Sequence, residues 1–228
     1  MNYDDGAPFE VARYRHMQKA LPGVETLYTL MLAQIETALP TGGNVMVVGA
    51  GGGREVEALL GSSFDYVITG VDPSAEMLAI TRWFAKKSGH EDRLKLVQGL
   101  TETVAPPETG FDAATSILVM HFLPDDNTSN GKLAFLKSVR ERLTSGALLV
   151  HADVSFDTYP DEIEGVFLNH ARLAGLSEDD AAVGPKTIAT MPIIGTTRLT
   201  ELFDEAGFSQ PTLFYQALWY RAWIAKAV

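Results

Sequence analysis

Cysteine is absent from the 228-residue sequence, which removes disulfides, thiolate metal sites and a cysteine nucleophile together. Long apolar runs are missing too, and a membrane-spanning helix needs about 18 such residues in a row. The opening residues, MNYDDGAPFE, are acidic where a secretory leader is basic and then apolar. A cytoplasmic protein with no membrane partner is therefore expected. Basic charge is scarce, with 18 Lys and Arg against 29 Asp and Glu and a formal charge of -11. Such a surface disfavours docking on nucleic-acid phosphates or anionic lipid, and short basic clusters such as Arg13 with Arg15, or Lys86 with Lys87, read as solvated helix faces. Nucleic acid is excluded as a first expectation. So is a metal, because Asp125 and Asp126 adjoin a loop without a paired histidine or a matched carboxylate set.

What is present is 46% apolar composition, enough for a substantial core, without internal repeats or low-complexity tracts. One domain over residues 1–228 is expected. Residues 1–40 carry apolar positions at helical spacing (Leu27, Leu30, Met31, Ile35), broken into two helices at Pro22-Gly23. In 41–155, NVMVVGAGGGREVEALL passes from a β-branched run through glycines into a helical pattern, and the rhythm then recurs. Strands are expected at Tyr66 to Val71, near Leu94 to Val97, in FDAATSILVM and in SGALLVHADVS, with helices from Pro73 to Lys87 and Lys132 to Leu143. Five alternating β/α units predict an α/β fold with a doubly wound, mostly parallel Rossmann-like sheet. Residues 156–194 interrupt the alternation with two helical pieces and read as an inserted helical lid. Residues 195–228 give a last helix and two strand-like stretches, expected as an antiparallel hairpin at the sheet edge.

Gly49, Gly51, Gly52 and Gly53 follow the VMVV strand directly, where the lack of a Cβ lets a ligand approach the backbone. The same glycines could form only a tight strand-to-helix turn. Asp72 lies about 20 residues on, ending the next strand, where a carboxylate can accept from both hydroxyls of a ribose; it could also cap the helix that follows.

With these residues the chain resembles the class I S-adenosylmethionine-dependent methyltransferases, whose first motif is a strand followed by Gly-x-Gly-x-Gly, here Gly49 to Gly53. The acidic residue ending strand two matches Asp72 in GVDPSAEML, and FDAATSILVMHFLPDD and the late AGF look like the family's fourth strand and the approach to its terminal hairpin. The resemblance implies S-adenosyl-L-methionine as cofactor, held by Gly49, Ala50, Gly51, Gly53, Asp72, Pro73, Met77, Gly99, Leu100, Thr101 and Leu118. Two positions depart from it. An acidic residue often found in the family's first strand is Val47 here, and the third motif, acidic near adenine in the family, reads VQGLTET. The paired N-terminal helices and the insertion are also similar to the carboxy-S-adenosylmethionine synthase branch, although Val24 and Ile117 stand where that branch implies polar groups.

Methyl transfer from a sulfonium is an in-line displacement, so the protein must align the acceptor and exclude water, and a hydroxyl acceptor gains from a general base. By the resemblance, His121 sits in the loop that faces the methyl group, with Phe122 as a pocket wall; the alternative is a loop histidine bonded to backbone. His151 and Asp153 share one face of strand five and read as a core histidine satisfied by its neighbouring carboxylate. Asn169, His170 and Arg172 are lid candidates for binding the substrate, against a solvated helix face. Tyr14 and Arg15 could close over the cofactor's carboxylate or lie on the surface, and the aromatic tail from Phe214 to Trp223 could line an acceptor pocket or pack the hairpin. The expected activity is O- or N-methylation of a small-molecule acceptor, with a carboxy-cofactor synthase or a noncatalytic cofactor-binding module as alternatives. A homodimer is compatible with all three.

Overall fold

The strand runs foreseen from apolar content close into one sheet, whose central strands are buried on both faces and so need helices above and below. A computed structural model describes residues 9–228, with side chains from residue 12 onward; the first eight residues of the expected N-terminal segment lie outside the described residues. Strands β1 (Gly43–Val48), β2 (Tyr66–Asp72), β3 (Leu94–Gln98), β4 (Phe111–Ile117) and β5 (Leu143–Val154) are joined by β6 (Thr212–Ala217) and β7 (Tyr220–Lys226) in the order β3-β2-β1-β4-β5-β7-β6. The first five run parallel, and β7 lies antiparallel between β5 and β6.

Among the described residues, eight α-helices surround the sheet: α1 (Phe9–Gln18), α2 (Val24–Ala38), α3 (Arg54–Leu60), α4 (Ala75–Ser88), α5 (Lys132–Arg140), α6 (Asp161–Leu173), α7 (Glu178–Ile188) and α8 (Thr196–Glu205). Alternation along β1 divides the core. Val45 and Val47 join a cluster with Leu27, Met31 and Ile35 of α2 and Val56 and Leu59 of α3. Met46 and Val48 face the opposite layer, with Leu136 and Val139 of α5 and Leu202 and Phe203 of α8. A third cluster packs Phe167 and Ala171 of α6 and Ala181 and Ile188 of α7 against Trp219 and Tyr220, which holds the inserted helices over the carboxyl end of β5.

Some boundaries differ from expectation. Helix α4 begins at Ala75, with Ser74 as its N-cap accepting from the Met77 N–H at 3.2 Å, so Pro73 lies in the connection and Asp72 is not the cap. Helix α5 stops at Arg140 because Leu143 already pairs with Phe111; the partner of Ala113 is Leu148, and this register shift takes in Ser145 and Gly146 as an irregularity within β5. The Pro22-Gly23 break is as foreseen, and the Tyr215 hydroxyl from the hairpin donates to the Pro22 carbonyl there.

Candidate active site

Order reverses at β1, whose neighbours β2 and β4 carry the chain to opposite sides, and ligands of doubly wound sheets settle in the crevice beyond such strand ends. A cavity of about 1180 Å³ occupies that crevice. Its floor is the glycine loop. Gly49 has φ 70°, and a Cβ there would come within 2.3 Å of Val119 Cγ2; a Cβ on Gly52 would lie 1.8 Å from Tyr14 Cε1. The loop is tied from behind by Thr81, whose hydroxyl is shared between the carbonyls of Ala50 (2.7 Å) and Gly51 (2.6 Å). Asp72 Oδ2 accepts from the Gly51 N–H at 3.1 Å and Oδ1 from the Ser74 N–H at 2.8 Å, which orients both oxygens while leaving each a lone pair for a ligand.

Gly49, Gly51, Asp72, Pro73, Met77, Gly99, Leu100, Thr101 and Leu118 all line this cavity, as do His121 and Phe122. Ala50 and Gly53 do not: Ala50 packs into the core behind the loop, and Gly53, at φ 72°, is the N-cap of α3. Leu118 has φ 59° at the end of β4. A leucine held in that left-handed region is strained, and its N–H donates to the Ala152 carbonyl at 2.8 Å where the chain turns toward the cavity.

The turn carries His121 on a short 3-10 helix, Met120–Phe122. His121 Nδ1 lies 2.5 Å from Asp153 Oδ1, and its backbone N–H donates to Asp153 Oδ2 at 2.9 Å. Burial raises the pKa of Asp153, but the His121 ring, its hydrogen bond and the Val154 N–H outweigh burial and hold the carboxyl below the usual range. With Nδ1 engaged, Nε2 is the nitrogen left without a hydrogen-bond partner among the described residues. Lys132, 1% exposed, braces the same turn by donating from Nζ to the carbonyls of Met120 (2.8 Å) and Leu123. Burial lowers its pKa against the opposing charges of Asp153 and Asp125.

The expected pairing of His151 with Asp153 is corrected, because both carboxylate oxygens are taken by His121 from the neighbouring loop. His151 is 0% exposed, sits between the rings of Phe203 (5.6 Å) and Trp223 (6.0 Å), and among the described residues neither ring nitrogen has a partner. Burial pushes its pKa down to about 4. The lid candidates are corrected as well. The inward face of α6 is Phe167 and Ala171, so Asn169 and Arg172 face solvent and half-buried His170 stays off the cavity wall. Helix α7 supplies that wall instead, through Val183, Thr187 and Ile188. Arg15 turns from the cavity to Glu57 (2.6 Å) and the Phe84 ring (4.2 Å), whereas Tyr14 lies in it. Within the aromatic tail, Tyr220 reaches the cavity, while Trp219 and Trp223 are core.

Sequence reasoning missed Thr81, Lys132 and Glu55. Thr81 did leave a trace, a hydroxyl on the apolar face of α4. Glu55 is 4% exposed on the cavity wall with Oε1 unpartnered among the described residues, and burial raises its pKa to about 8 despite its own backbone hydrogen bond and Arg54. Among the described residues, no group of three or more His, Asp or Glu is placed to hold a metal ion, and no helix is long and apolar enough to cross a membrane.

A sheet of this order with a glycine loop and an acidic strand-two end at its switch point defines the class I methyltransferase fold. Residues 45–146, just under half of the chain, match the family model of a methyltransferase domain, so the stretch from β1 into β5 is similar to such a domain. No curated protein matches the sequence. Among solved structures, a Nostoc punctiforme protein assigned as an O-methyltransferase shares 16% identity at TM-score 0.62, over 92% of this chain and 59% of its own. An O-methyltransferase family 2 protein from Planctomyces limnophilus, solved with apigenin, shares 15% at 0.60, over 98% and 72%. The N,N-8-amino-8-demethyl-D-riboflavin dimethyltransferase of Streptomyces davawensis shares 16% at 0.57, over 81% and 49%. The chain thus spans about half to three quarters of the length of these structures, and at such identities the likeness is one of fold.

Proposed function

We propose that the protein transfers a methyl group from S-adenosyl-L-methionine to a hydroxyl of a small, largely apolar molecule, with His121 as the general base and Asp153 as its positioning residue. The observation that carries this is the His121 Nδ1 to Asp153 contact of 2.5 Å on the wall of the same cavity that holds the glycine loop and Asp72. The residues present fit the cofactor: the loop lets a nucleoside approach the backbone, and Asp72 holds two oriented oxygens for ribose hydroxyls. At about 1180 Å³ the cavity exceeds the roughly 300–1,000 Å³ of a site for one small ligand, which suits cofactor and acceptor side by side. Met17, Leu21, Leu118, Val154, Ile188 and Met191 line it beside His121, favouring an apolar acceptor.

Bound there, the cofactor supplies an electrophilic methyl on a sulfonium that leaves as a neutral thioether. His121 Nε2 would take the proton of an acceptor hydroxyl and so ready its oxygen for the methyl group that the cofactor would supply. Asp153 fixes the ring and stabilises the imidazolium, and the apolar wall excludes water. Ile117, which stands where the carboxy-S-adenosylmethionine synthase branch implies a polar group, is an apolar residue of this wall, which favours methyl transfer.

Calorimetric titration with S-adenosylmethionine and S-adenosylhomocysteine tests the cofactor site. Micromolar binding that Asp72→Ala weakens by about 1–3 kcal/mol is expected, and absence of binding to either compound sinks the reading. In a screen of apolar phenols and alcohols, turnover that His121→Gln lowers by about 10²-fold or more is expected. Binding without turnover across the screen would instead favour a noncatalytic module.

A further inference from the structure

The cofactor reading leaves one charge unanswered. The aminoacyl end of S-adenosylmethionine is a zwitterion, and the strand position that is often acidic in the family is Val47, packed in the core between β1 and helices α2 and α3. No acid on β1 can reach an ammonium group. Among the described residues, four carboxylates line the cavity: Glu55, Asp72, Glu102 and Glu141. Asp72 is engaged with the Gly51 and Ser74 amides, and Glu102 and Glu141 are exposed to solvent.

Glu55 differs from all three. It is buried on the cavity wall, with Oε1 unpartnered among the described residues. The adjacent cation does not serve it, because Arg54 pairs with Glu25 at 2.6 Å and lies over the Tyr28 ring at 4.8 Å. A buried carboxyl with one oxygen unpartnered is destabilising unless something that binds there compensates it. Gln18, one turn along α1 from Tyr14, is also buried on the wall of this cavity, and its side-chain oxygen is likewise without a partner among the described residues. Tyr14 from α1 and Tyr28 from α2 complete this end of the cavity with two phenol hydroxyls. Two unanswered acceptors beside two potential donors match an ammonium and a carboxylate held on one carbon.

We propose that Glu55, with Gln18, receives the α-ammonium of the cofactor's aminoacyl end, replacing from the first turn of α3 the acid that β1 lacks, while Tyr14 and Tyr28 face its carboxylate. This rests on the S-adenosylmethionine reading above. It also makes α1 part of the cofactor site, so that binding draws the N-terminal helix onto the glycine loop, where Tyr14 already lies against Gly52. Glu55 is largely protonated in the empty site, since burial raises its pKa to about 8 against the lowering effect of Arg54, with Asp72 raising it further. The other titratable groups facing it, Tyr14 and Tyr28, are pushed upward by burial and stay neutral. Pairing with an ammonium therefore ionises Glu55 and releases its proton.

The test titrates S-adenosylhomocysteine and 5′-methylthioadenosine, which lacks the aminoacyl end, into wild type and Glu55→Gln by calorimetry in two buffers of different ionisation enthalpy at pH 6.5. Expected are a loss of about tenfold or more in S-adenosylhomocysteine affinity on substitution, 5′-methylthioadenosine affinity within about twofold of wild type, and release of about one proton for the former ligand only. Equal weakening of both ligands, or no weakening of either, overturns the proposal and leaves the cofactor reading standing. Wild type that binds neither compound overturns both. If the variant does not fold, the wild-type proton count decides: release with S-adenosylhomocysteine alone supports the subsite, and equal counts for the two ligands remove it.

Discussion

Replacing His151 with phenylalanine should make the protein more acid-resistant, by an amount set by the histidine's burial. His151 is fully enclosed between Phe203 and Trp223, both nitrogens are unpartnered among the described residues, and burial lowers its pKa from 6.5 to about 4. The charges facing it come from three elements: Asp153 on its own strand favours its protonation, and His121 and Lys132 oppose it. Above pH 6.5 the ring is neutral in both folded and unfolded chains and contributes no pH dependence. As pH falls from 6.5 toward 4, the unfolded chain takes up a proton that the folded chain refuses, so stability is lost across that window. A shift of about 2.5 units at 1.36 kcal/mol per unit amounts to ~3 kcal/mol between pH 7 and pH 4. His151→Phe removes that loss and also the two unsatisfied nitrogens, while keeping a flat ring against Phe203 and Trp223. Urea unfolding of wild type and variant, followed by tryptophan fluorescence at half-unit steps from pH 7 to 4, measures the difference directly. Other acids, Asp153 among them, titrate in both proteins and largely cancel in that difference. A variant-minus-wild-type stability that stays constant across the range, within about 0.5 kcal/mol, would refute the reasoning, since it would mean that the buried ring takes up its proton as freely folded as unfolded.

Two further substitutions probe the site. Asp153→Asn should lower turnover by about 10²-fold or more with little change in S-adenosylhomocysteine affinity, because it disturbs the orientation and charge of His121 and leaves the glycine loop intact; steady-state kinetics with the acceptor from the screen, beside calorimetry, check both halves. Thr81→Val keeps the side-chain shape but strips the donor that serves the carbonyls of Ala50 and Gly51; a loss of about 1–3 kcal/mol in urea unfolding is expected, and unchanged stability would show the loop to be held by other bonds.

Where the chain was legible, its information was local. Each strand is a short apolar run and each helix a 3.6-residue pattern, so the alternation from β1 to β5 could be read segment by segment. The glycine loop and Asp72 could be joined as well, since consecutive β/α units of one sheet place their strand ends side by side. The lid was read correctly as helices, yet Asn169, His170 and Arg172 were assigned to the wrong face. A helix's rotation is decided by what it packs against, and Phe167 and Ala171 found Trp219 and Tyr220, more than 40 residues further along.

By itself, then, the sequence determined the layering of helices on a mostly parallel sheet, the glycine loop at Gly49 to Gly53, and the carboxylate at Asp72 beside it. Hydrophobic period and backbone permissiveness are properties of neighbouring residues, and they survive reading in one dimension. Only the tertiary structure decided which histidine Asp153 serves, because His121 and His151 are equally plausible by residue type and the strained turn at Leu118 brings the more distant one into reach. It also decided that Glu55 is a buried carboxyl facing a cavity, whereas a glutamate in the first turn of a helix reads as a solvated charge. Burial and partnership arise where elements meet, and they reverse what a charged residue does.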